Sequence, residues 1–326
     1  MAAIWHWVLT LLASLNIIAP ISEVPVPEPV VIIEQEFGDT PQVAGVSTGF
    51  PEADMRLEAH RSSVWEPPQS DELTAESIMI MDKNSGKILW SRSPEKVWPL
   101  ASITKLMGAI VFMEERGNDA DIWQDTHIMT AEDVVDGTIY IYQGEEVTVD
   151  DLFHFSLVGS INTAARALFH SVELEDDEVI EKMNAYARSK GFWNTQFFDV
   201  TGLSSENVTT AKEAAWIVKE ALSYDKIRET LIKDSYTITT NTGRKTKVLN
   251  TNKLLGGDFT IEGGKTGYIT ESKYNFAASI MNEQETQLLL LYLAQMNRIY
   301  VLQKQLRLQS GRLIIMNGNK CLKYYK

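Results

Sequence analysis

The pattern of apolar and polar residues changes its period twice along this chain. Short apolar runs at 77–81 and 87–91 predict two strands, joined by a turn at 83–86 that ends in glycine. From residue 236 onward a period of two predicts further strands at 236–240, 245–250, 274–281 and 287–293. The folded part of the chain is therefore expected to begin and end with strands.

Between the two strand regions, apolar residues recur at helical spacing. Thr148 and Asp151 form the pattern of a capping box, and Gly117 and Gly191 have positions typical of helix ends. The predicted helices cover residues 102–113, 148–157, 162–169, 177–190 and 210–222. We therefore expect an α+β fold. One antiparallel sheet is built from both ends of the domain and is flanked by helices, with a helical subdomain inserted between its strands.

The first 72 residues have a different composition from the rest. Residues 4–21 are mostly apolar and long enough for an export signal or a marginal membrane span, although no basic region precedes them. Eight of the ten prolines lie in the first 70 residues, which is typical of an extended linker. We expect residues 1–21 to be a signal or membrane anchor, with a buried helix as the alternative. Residues 22–72 are a proline-rich linker to the main domain at 73–293.

Residues 294–326 are basic and lack the pattern of the preceding domain. Allowed codons for residues 305–320, read after the first two bases are dropped, encode Val-Lys-Ala-Ser-Lys-Trp-Ala-Phe-Asp-Asn-Tyr-Glu-Trp-Gln and then a stop. This peptide has the character of an amphipathic helix. We therefore expect that the reading frame shifts near Leu293 and that residues 294–326 are an atypical tail.

Charge and composition argue against several classes of function. The net charge of −14 argues against a nucleic acid partner, because phosphates are bound through lysine and arginine. Cys321 is the single cysteine, which excludes an intrachain disulfide and a thiolate metal cluster. Five histidines lack the close spacing of metal ligands and are interpreted as structural or surface residues: His6, His60, His127, His154 and His170.

A hydroxyl and an amine are spaced for catalysis at Ser102 and Lys105. Residues three apart lie on one face of a helix, so the two groups come within reach of each other. If that face is buried, the ammonium form is disfavoured, and the amine can serve as a base for a hydroxyl nucleophile. The same Ser-x-x-Lys spacing starts at Ser93 and Ser223, but only Ser102 begins a long helical pattern.

Two further short motifs follow in the chain. Ser160 and Asn162 offer a hydroxyl and an amide two residues apart, a pattern that also occurs elsewhere by chance. Lys265, Thr266 and Gly267 follow two glycines and are predicted to lie on a strand. Glycine leaves backbone N–H groups accessible to a ligand, and an ammonium beside a hydroxyl could bind a carboxylate. The alternative is a glycine-rich turn with a solvated lysine.

Taken together, the three motifs stand in the order of the penicillin-binding proteins and class A β-lactamases. Over residues 75–293 the chain resembles the serine D-alanyl-D-alanine carboxypeptidases, the low-molecular-mass penicillin-binding proteins of bacteria. The matching stretches are 101–107 (Ala-Ser-Ile-Thr-Lys-Leu-Met), 160–165 (Ser-Ile-Asn-Thr-Ala-Ala), 194–197 (Asn-Thr-Gln-Phe), 201–203 (Thr-Gly-Leu), 251–255 (Thr-Asn-Lys-Leu-Leu) and 263–268 (Gly-Gly-Lys-Thr-Gly-Tyr). The resemblance implies a β-lactamase/transpeptidase-like fold.

The resemblance also implies catalytic roles. Ser102 would attack the carbonyl between the two terminal D-alanines of a peptidoglycan stem peptide, and Lys105 would take its proton. The backbone N–H groups of Ser102 and Tyr268 would form the oxyanion hole. Ser160 would pass a proton to the departing D-alanine, with electrostatic assistance from Lys265. Water would then hydrolyse the acyl-enzyme, and β-lactams would acylate Ser102 as covalent inhibitors.

Substrate binding is implied for Asn162 and for the strand that carries Lys265, Thr266, Gly267 and Tyr268. Asn162 would hold the substrate's amide, and Lys265 with Thr266 its terminal carboxylate. No metal or organic cofactor is implied, and the protein is expected to be exported. It would act at the outer face of the cytoplasmic membrane or in the periplasm or cell wall, with the membrane as a partner only through the N-terminal segment.

The second motif departs from the family's usual Ser-Gly-Asn-Asp. Ile161 and Thr163 replace the glycine and the aspartate, so the packing there is expected to differ. Three alternatives remain open for the activity. A D,D-endopeptidase would use the same residues on cross-links, and a catalytically weak module could bind penicillin or sense peptidoglycan. A class A β-lactamase is disfavoured, because Glu181 and Asn184 have the wrong spacing for its Glu-x-x-x-Asn loop.

Overall fold

A computed structural model of the chain describes residues 75–135, 140–257, 260–281 and 287–295, together with the backbone of three strands between 306 and 325. The predicted anchor and linker lie outside the described residues. Within the described residues, no helix combines the length and the apolar character needed to cross a membrane. The six helices described are α1 (Thr104–Arg116), α2 (Val149–Val158), α3 (Asn162–His170), α4 (Asp176–Ser189), α5 (Ala211–Ala221) and α6 (Asp225–Leu231).

Six strands follow the predicted ranges to within two residues, and the others were not given ranges by the sequence. The strands are β1 (Ser77–Asp82), β2 (Ile88–Arg92), β3 (Trp98–Pro99), β4 (Thr126–Ile128), β5 (Glu146–Thr148), β6 (Val208–Thr209), β7 (Ser235–Thr239), β8 (Lys245–Leu249), β9 (Thr260–Ile269), β10 (Lys273–Met281) and β11 (Gln287–Gln295). Backbone alone is described for β12 (Leu306–Gln309), β13 (Arg312–Asn317) and β14 (Lys320–Tyr325), which form a separate antiparallel sheet. The structure does not test the proposed frame shift.

Strands from both ends of the domain form one antiparallel sheet, as predicted. Its order is β2-β1-β11-β10-β9, and the register of β1 against β11 pairs Ser77 with Leu293. Successive residues of β1 point to opposite faces, so Met79 and Met81 join the core beneath the helices, whereas Ile78 and Ile80 join a second apolar cluster. Burial of both faces explains why β1 is a continuous apolar run rather than an alternating one.

The helical middle of the chain packs around α1. Residues 104–112 of this helix are all buried, which explains why its apolar residues surround the axis instead of forming a single stripe. Phe112 lies 5.7 Å from Trp123 and 6.0 Å from Phe153 between ring centroids. The predicted capping box at Thr148 and Asp151 is present at the start of α2, with both reciprocal hydrogen bonds.

Three local predictions were wrong or incomplete. β7 and β8 form their own hairpin instead of joining the central sheet, because each strand buries only one large apolar residue, Ile238 or Val248. The prediction for Gly117 was incomplete: it is the C-cap residue of α1, as expected for a helix end, but its φ is −64° and not left-handed. By contrast, Gly191 has a φ of +76° after α4. The short helix α6 was not predicted.

Three histidines lie among the described residues, and each has a carboxylate or carbonyl partner. His127 Nε2 and His170 Nδ1 lie 2.9 Å and 2.7 Å from the buried carboxylate of Asp133. His154 Nδ1 lies 2.8 Å from the carbonyl oxygen of Asp150. In the described part of the chain, no group of histidines, cysteines and carboxylates is arranged to hold a metal ion.

Candidate active site

Ser102 lies in a single 3-10 turn, Ala101–Ile103, immediately before α1. The preceding residue, Ala101, has a φ of +50°, a conformation that costs a non-glycine residue free energy. Lys105 lies on the first turn of α1, and its Nζ is 3.0 Å from Ser102 Oγ. The spacing of three residues therefore brings the two groups together as predicted, although Ser102 itself precedes the α-helix.

Lys105 is 1% exposed and has two further oxygen neighbours. Its Nζ donates to Asn162 Oδ1 and to the carbonyl oxygen of Thr201, each at 2.6 Å. Both oxygens are obligatory acceptors, whereas the Ser102 hydroxyl can donate as well as accept. A neutral amine can therefore donate its two N–H groups to Asn162 and Thr201 and direct its lone pair at Ser102. This arrangement suits a general base.

Ser160 and Asn162 lie at the connection between α2 and α3. Ser160 has a φ of +61°, and its Oγ accepts a hydrogen bond of 2.7 Å from Lys265 Nζ. Asn162 is the first residue of α3, so its side chain projects from the helix start towards Lys105. The Ser160–Asn162 motif is thus linked to the two other motifs: Asn162 contacts Lys105, and Ser160 contacts Lys265.

The strand β9 forms the opposite wall of the site. Lys265 is 1% exposed, and burial is the main cause that holds its pKa well below the ordinary lysine value, with repulsion from Lys105 as the second cause. Thr266 Oγ1 donates to Thr251 Oγ1 at 2.7 Å. A Cβ on Gly267 would lie 2.8 Å from the carbonyl oxygen of Leu100. Glycine there allows β9 to approach the turn that carries Ser102.

A cleft of about 490 Å³ opens between these elements. Of the predicted residues, six line it: Ser102, Ser160, Asn162, Thr266, Gly267 and Tyr268. Lys105 and Lys265 are buried behind this surface and reach it through the two serine hydroxyls. The structure therefore brings all eight predicted site residues to one place. Tyr268 is half exposed at the rim, with its ring 4.5 Å from that of Tyr274.

Several lining residues were not singled out by the sequence. They are Leu249, Asn250 and Tyr274, whereas Leu203, Thr251 and Lys253 were noted only within the matching stretches 201–203 and 251–255. Thr201, whose carbonyl oxygen contacts Lys105, was noticed only as part of the Thr-Gly-Leu stretch at 201–203. A backbone carbonyl carries no residue-type signal, so the match of that stretch to the family was its sequence indication.

The chain is similar to characterised proteins over this region. Residues 63–294 match the family model described as D-alanyl-D-alanine carboxypeptidase. The chain is 30% identical over 210 residues to D-alanyl-D-alanine carboxypeptidase DacF of Bacillus subtilis, covering 63% of this chain and 54% of the relative. It is 33% identical over 207 residues to a D-alanyl-D-alanine endopeptidase of Haemophilus influenzae, covering 62% and 68%. The chain thus spans about half the length of DacF and about two thirds of the endopeptidase.

Solved structures agree with the predicted fold. Penicillin-binding protein D2 from Listeria monocytogenes, in its ampicillin-bound form, superposes with a TM-score of 0.60 at 26% identity, covering 69% of this chain and 91% of that one. A D-alanyl-D-alanine carboxypeptidase from Mycobacterium tuberculosis has the same fold, with a TM-score of 0.64 at 22% identity, covering 75% and 91%. The expected α+β, transpeptidase-like architecture is confirmed. The chain belongs to the D-alanyl-D-alanine carboxypeptidase family of serine peptidases.

Proposed function

We propose that this protein is a serine D,D-carboxypeptidase that removes the terminal D-alanine from peptidoglycan stem peptides through an acyl-enzyme. The observation that carries the proposal is the buried amine of Lys105, 3.0 Å from the Ser102 hydroxyl at the edge of an open cleft. An amine buried beside a hydroxyl is an activated nucleophile pair. β-Lactams, which present a strained amide, acylate Ser102 by the same route.

Acylation begins when Ser102 Oγ attacks the carbonyl carbon of the D-alanyl-D-alanine bond and its proton passes to Lys105. The backbone N–H groups of Ser102 and Tyr268 stabilise the resulting oxyanion. Close approach of β9 to the serine turn, which Gly267 permits, supports this pairing of N–H groups from two elements. The C–N bond then breaks, and the departing amine receives a proton from Ser160. The proton that Lys105 took from Ser102 replaces the one that Ser160 gave up, so Lys105 and Ser160 return to their starting states.

Lys265 supports the second proton transfer and binds substrate. Its Nζ lies 2.7 Å from Ser160 Oγ, so its charge stabilises the serine oxygen when that oxygen loses a proton. Lys265 and Thr266 bind the terminal carboxylate of the peptide, and Asn162 holds the amide on the acyl side. Water then attacks the ester at Ser102 and releases the shortened peptide.

The protein is expected to act outside the cytoplasm of a bacterium, where its cell-wall substrate lies. Residues 1–21 would direct export or hold the protein at the membrane, and residues 22–72 would tether the catalytic domain. Endopeptidase action on cross-links is the second candidate, favoured by the similarity to a relative named D-alanyl-D-alanine endopeptidase. A weakly catalytic penicillin-binding or sensing module is the third.

The test combines two measurements on the full chain. A fluorescent penicillin reports covalent labelling of Ser102, and a pentapeptide that ends in D-alanyl-D-alanine reports release of D-alanine. We expect both, and we expect Ser102→Ala to reduce each by more than about a thousandfold. Ser223→Ala is the matched control, because Ser223 begins another Ser-x-x-Lys stretch but is exposed at the end of α5. Labelling without D-alanine release would instead indicate a sensor.

A further inference from the structure

The loop between α4 and β6 touches the catalytic lysine from a side that the mechanism above does not use. Thr201 lies in this loop, and its carbonyl oxygen accepts a 2.6 Å hydrogen bond from Lys105 Nζ. A carbonyl oxygen can orient a buried amine only if the backbone that carries the carbonyl is held in place. Two side chains of the same loop, Asp199 and Asn207, do this.

Asp199 accepts hydrogen bonds from the backbone N–H groups on both sides of the Thr201 carbonyl. Its Oδ1 accepts hydrogen bonds from Thr201 N at 2.5 Å, Thr201 Oγ1 at 2.8 Å and Gly202 N at 2.6 Å. Its Oδ2 accepts from Ser204 N at 2.5 Å. The carboxylate holds the N–H of the peptide group that contains the Thr201 carbonyl and the N–H of the peptide group before it. Because a peptide group is planar, this fixes the direction in which the carbonyl oxygen points.

Asn207 ties Asp199 to the helix that carries the nucleophile. Its Oδ1 accepts from the backbone N–H groups of Phe198 and Asp199, at 2.7 Å and 3.1 Å. Its Nδ2 donates to the carbonyl oxygen of Asp199 at 2.8 Å and to Thr104 Oγ1 at 3.1 Å. Asn207 is fully buried, and its own carbonyl oxygen accepts from Leu100 N at 2.8 Å. The loop is therefore anchored on both sides of Ser102.

Gly202 brings the backbone of this loop into contact with the turn that carries Ser102. Its φ is +90°, and a Cβ at this position would lie only 2.0 Å from the carbonyl oxygen of Ala101, the residue before Ser102. The loop thus meets the serine turn by backbone contact as well as through side chains. A shift of the loop would move the Thr201 carbonyl relative to Lys105.

We propose that Asp199 and Asn207 are positioning residues that hold the Thr201 carbonyl oxygen against Lys105 and so aim its amine at Ser102. The proposal rests on the proposed function, in which Lys105 is the base. Thr201 and Asn162 each accept one N–H group of the amine, which leaves the lone pair directed at the hydroxyl. Without the Thr201 carbonyl, the amine loses one of the hydrogen bonds that orient it towards Ser102.

The same contact affects the protonation of Lys105. A carbonyl acceptor stabilises an ammonium more than a neutral amine, so losing it lowers the pKa of Lys105. Two further charged groups lie near Lys105: Lys265 on β9, whose own pKa is lowered in part by Lys105, and Asp199, the carboxylate that holds the Thr201 peptide. Lys265 is unchanged in every variant below. Asp199→Ala and Asp199→Asn both remove the carboxylate charge, so a difference between these two variants reports on the loop rather than on charge.

The experiment compares Asp199→Ala and Asp199→Asn with wild type in the full chain. The rate of labelling by a fluorescent penicillin is measured against pH and normalised to folded protein. For Asp199→Ala we expect the high-pH rate to fall by about ten- to a hundredfold, the cost of a small misplacement of a reacting group. We also expect the midpoint of the pH profile to move to lower pH. Asp199→Asn keeps the oxygen that serves Thr201 and Gly202 and should stay within about threefold of wild type.

Two controls separate positioning from general destabilisation. Asp225→Ala removes a carboxylate that is 76% exposed on α6 and should change neither the rate nor the midpoint. If Asp199→Ala does not fold, Asp199→Glu replaces it. This variant keeps the charge but lengthens the side chain, so the proposal expects it to label more slowly than Asp199→Asn.

A direct measurement on Lys105 tests the positioning role independently of the proposed enzymatic activity. NMR of the chain labelled with ¹³C-lysine follows the titration of the Lys105 side chain whether or not penicillin reacts. A Lys105 midpoint that is lower in Asp199→Ala than in Asp199→Asn supports the positioning role even if wild type proves inert towards penicillin, an outcome that contradicts only the proposed function. An unchanged midpoint together with a wild-type labelling rate overturns the positioning role.

Discussion

Lys105 and Lys265 are both about 1% exposed, and each lies against a serine hydroxyl at the same cleft. The charge of Lys105 is, after burial, the second cause that lowers the pKa of Lys265. Two buried ammonium groups this close oppose each other, so the cleft favours a state in which one lysine is neutral. Because it is the pKa of Lys265 that is lowered, Lys265 acts as a cation in the proposed mechanism only when the carboxylate of the substrate offsets the cost of burying its charge.

Burial of Lys265 beside Lys105 is expected to lower the free energy of unfolding, which gives the first prediction. We expect Lys265→Met to raise the free energy of unfolding by about 0.5–2 kcal/mol at neutral pH while abolishing D-alanine release, because active sites retain destabilising groups for function. The measurement is thermal unfolding of both proteins at several pH values.

The pH dependence of this difference has a definite sign. The pKa of Lys265 in the folded protein lies below its ordinary value of 10.5. Burial of the charge therefore costs the wild type most below the folded pKa, and the cost disappears as pH rises towards 10.5. The advantage of Lys265→Met should shrink over that interval. An advantage that grows with pH would contradict the assignment.

The second prediction concerns the ion pair that holds the β7–β8 hairpin. Arg244 Nε donates to Glu145 Oε1 at 2.7 Å, and Arg244 Nη2 contacts the other carboxylate oxygen. Hydrogen bonding to Arg244 is the main cause that lowers the pKa of Glu145 from 4.5 to about 2. Glu145→Gln should cost about 1.5–3 kcal/mol at neutral pH, the range for a hydrogen bond to a charged group.

The stabilisation by Glu145 should be complete above its unfolded pKa of 4.5 and lost as pH falls towards about 2. The difference in unfolding free energy between wild type and Glu145→Gln should narrow over that range in denaturant titrations. Glu95→Gln is the control, because Glu95 pairs with Lys212 but is 60% exposed. It should change stability by no more than about 1 kcal/mol.

The third prediction separates backbone strain from a steric clash. Gly202 and Gly243 have similar φ values, +90° and +81°, but a Cβ on Gly243 would meet no atom within 4 Å. Both alanine variants incur the cost of a left-handed backbone, about 1–2 kcal/mol. Only Gly202→Ala must also displace the carbonyl of Ala101, so it alone should slow penicillin labelling of folded protein. Equal labelling rates would show that the loop and the serine turn move independently.

The fourth prediction concerns the reading frame near Leu293. Sequencing the gene across the codons for 293–320 should show that a shift of frame restores an amphipathic helical segment that ends at a stop. Codons that give no such segment in the other frame would contradict the idea. If it is correct, the restored chain should be more stable, since a helix against the sheet adds about 25 cal/mol per Å² of apolar area buried.

Local sequence patterns were sufficient for most elements of this protein. The capping box at Thr148, the left-handed Gly191 after α4 and the alternating faces of β1 depend on interactions within a few residues, so they could be read from the chain. The placement of β7 and β8 could not, because it depends on how much apolar surface each strand buries against α2.

For the site, the sequence alone determined which residues carry hydroxyl, amine and amide groups and that Ser102 and Lys105 come within reach of each other. Only the tertiary structure decided that Ser160 meets Lys265 and that Lys105 is buried between Asn162 and the Thr201 carbonyl. The reason is physical. Residue type sets which groups a chain can offer, whereas protonation and aim depend on burial and on neighbours far away in the sequence.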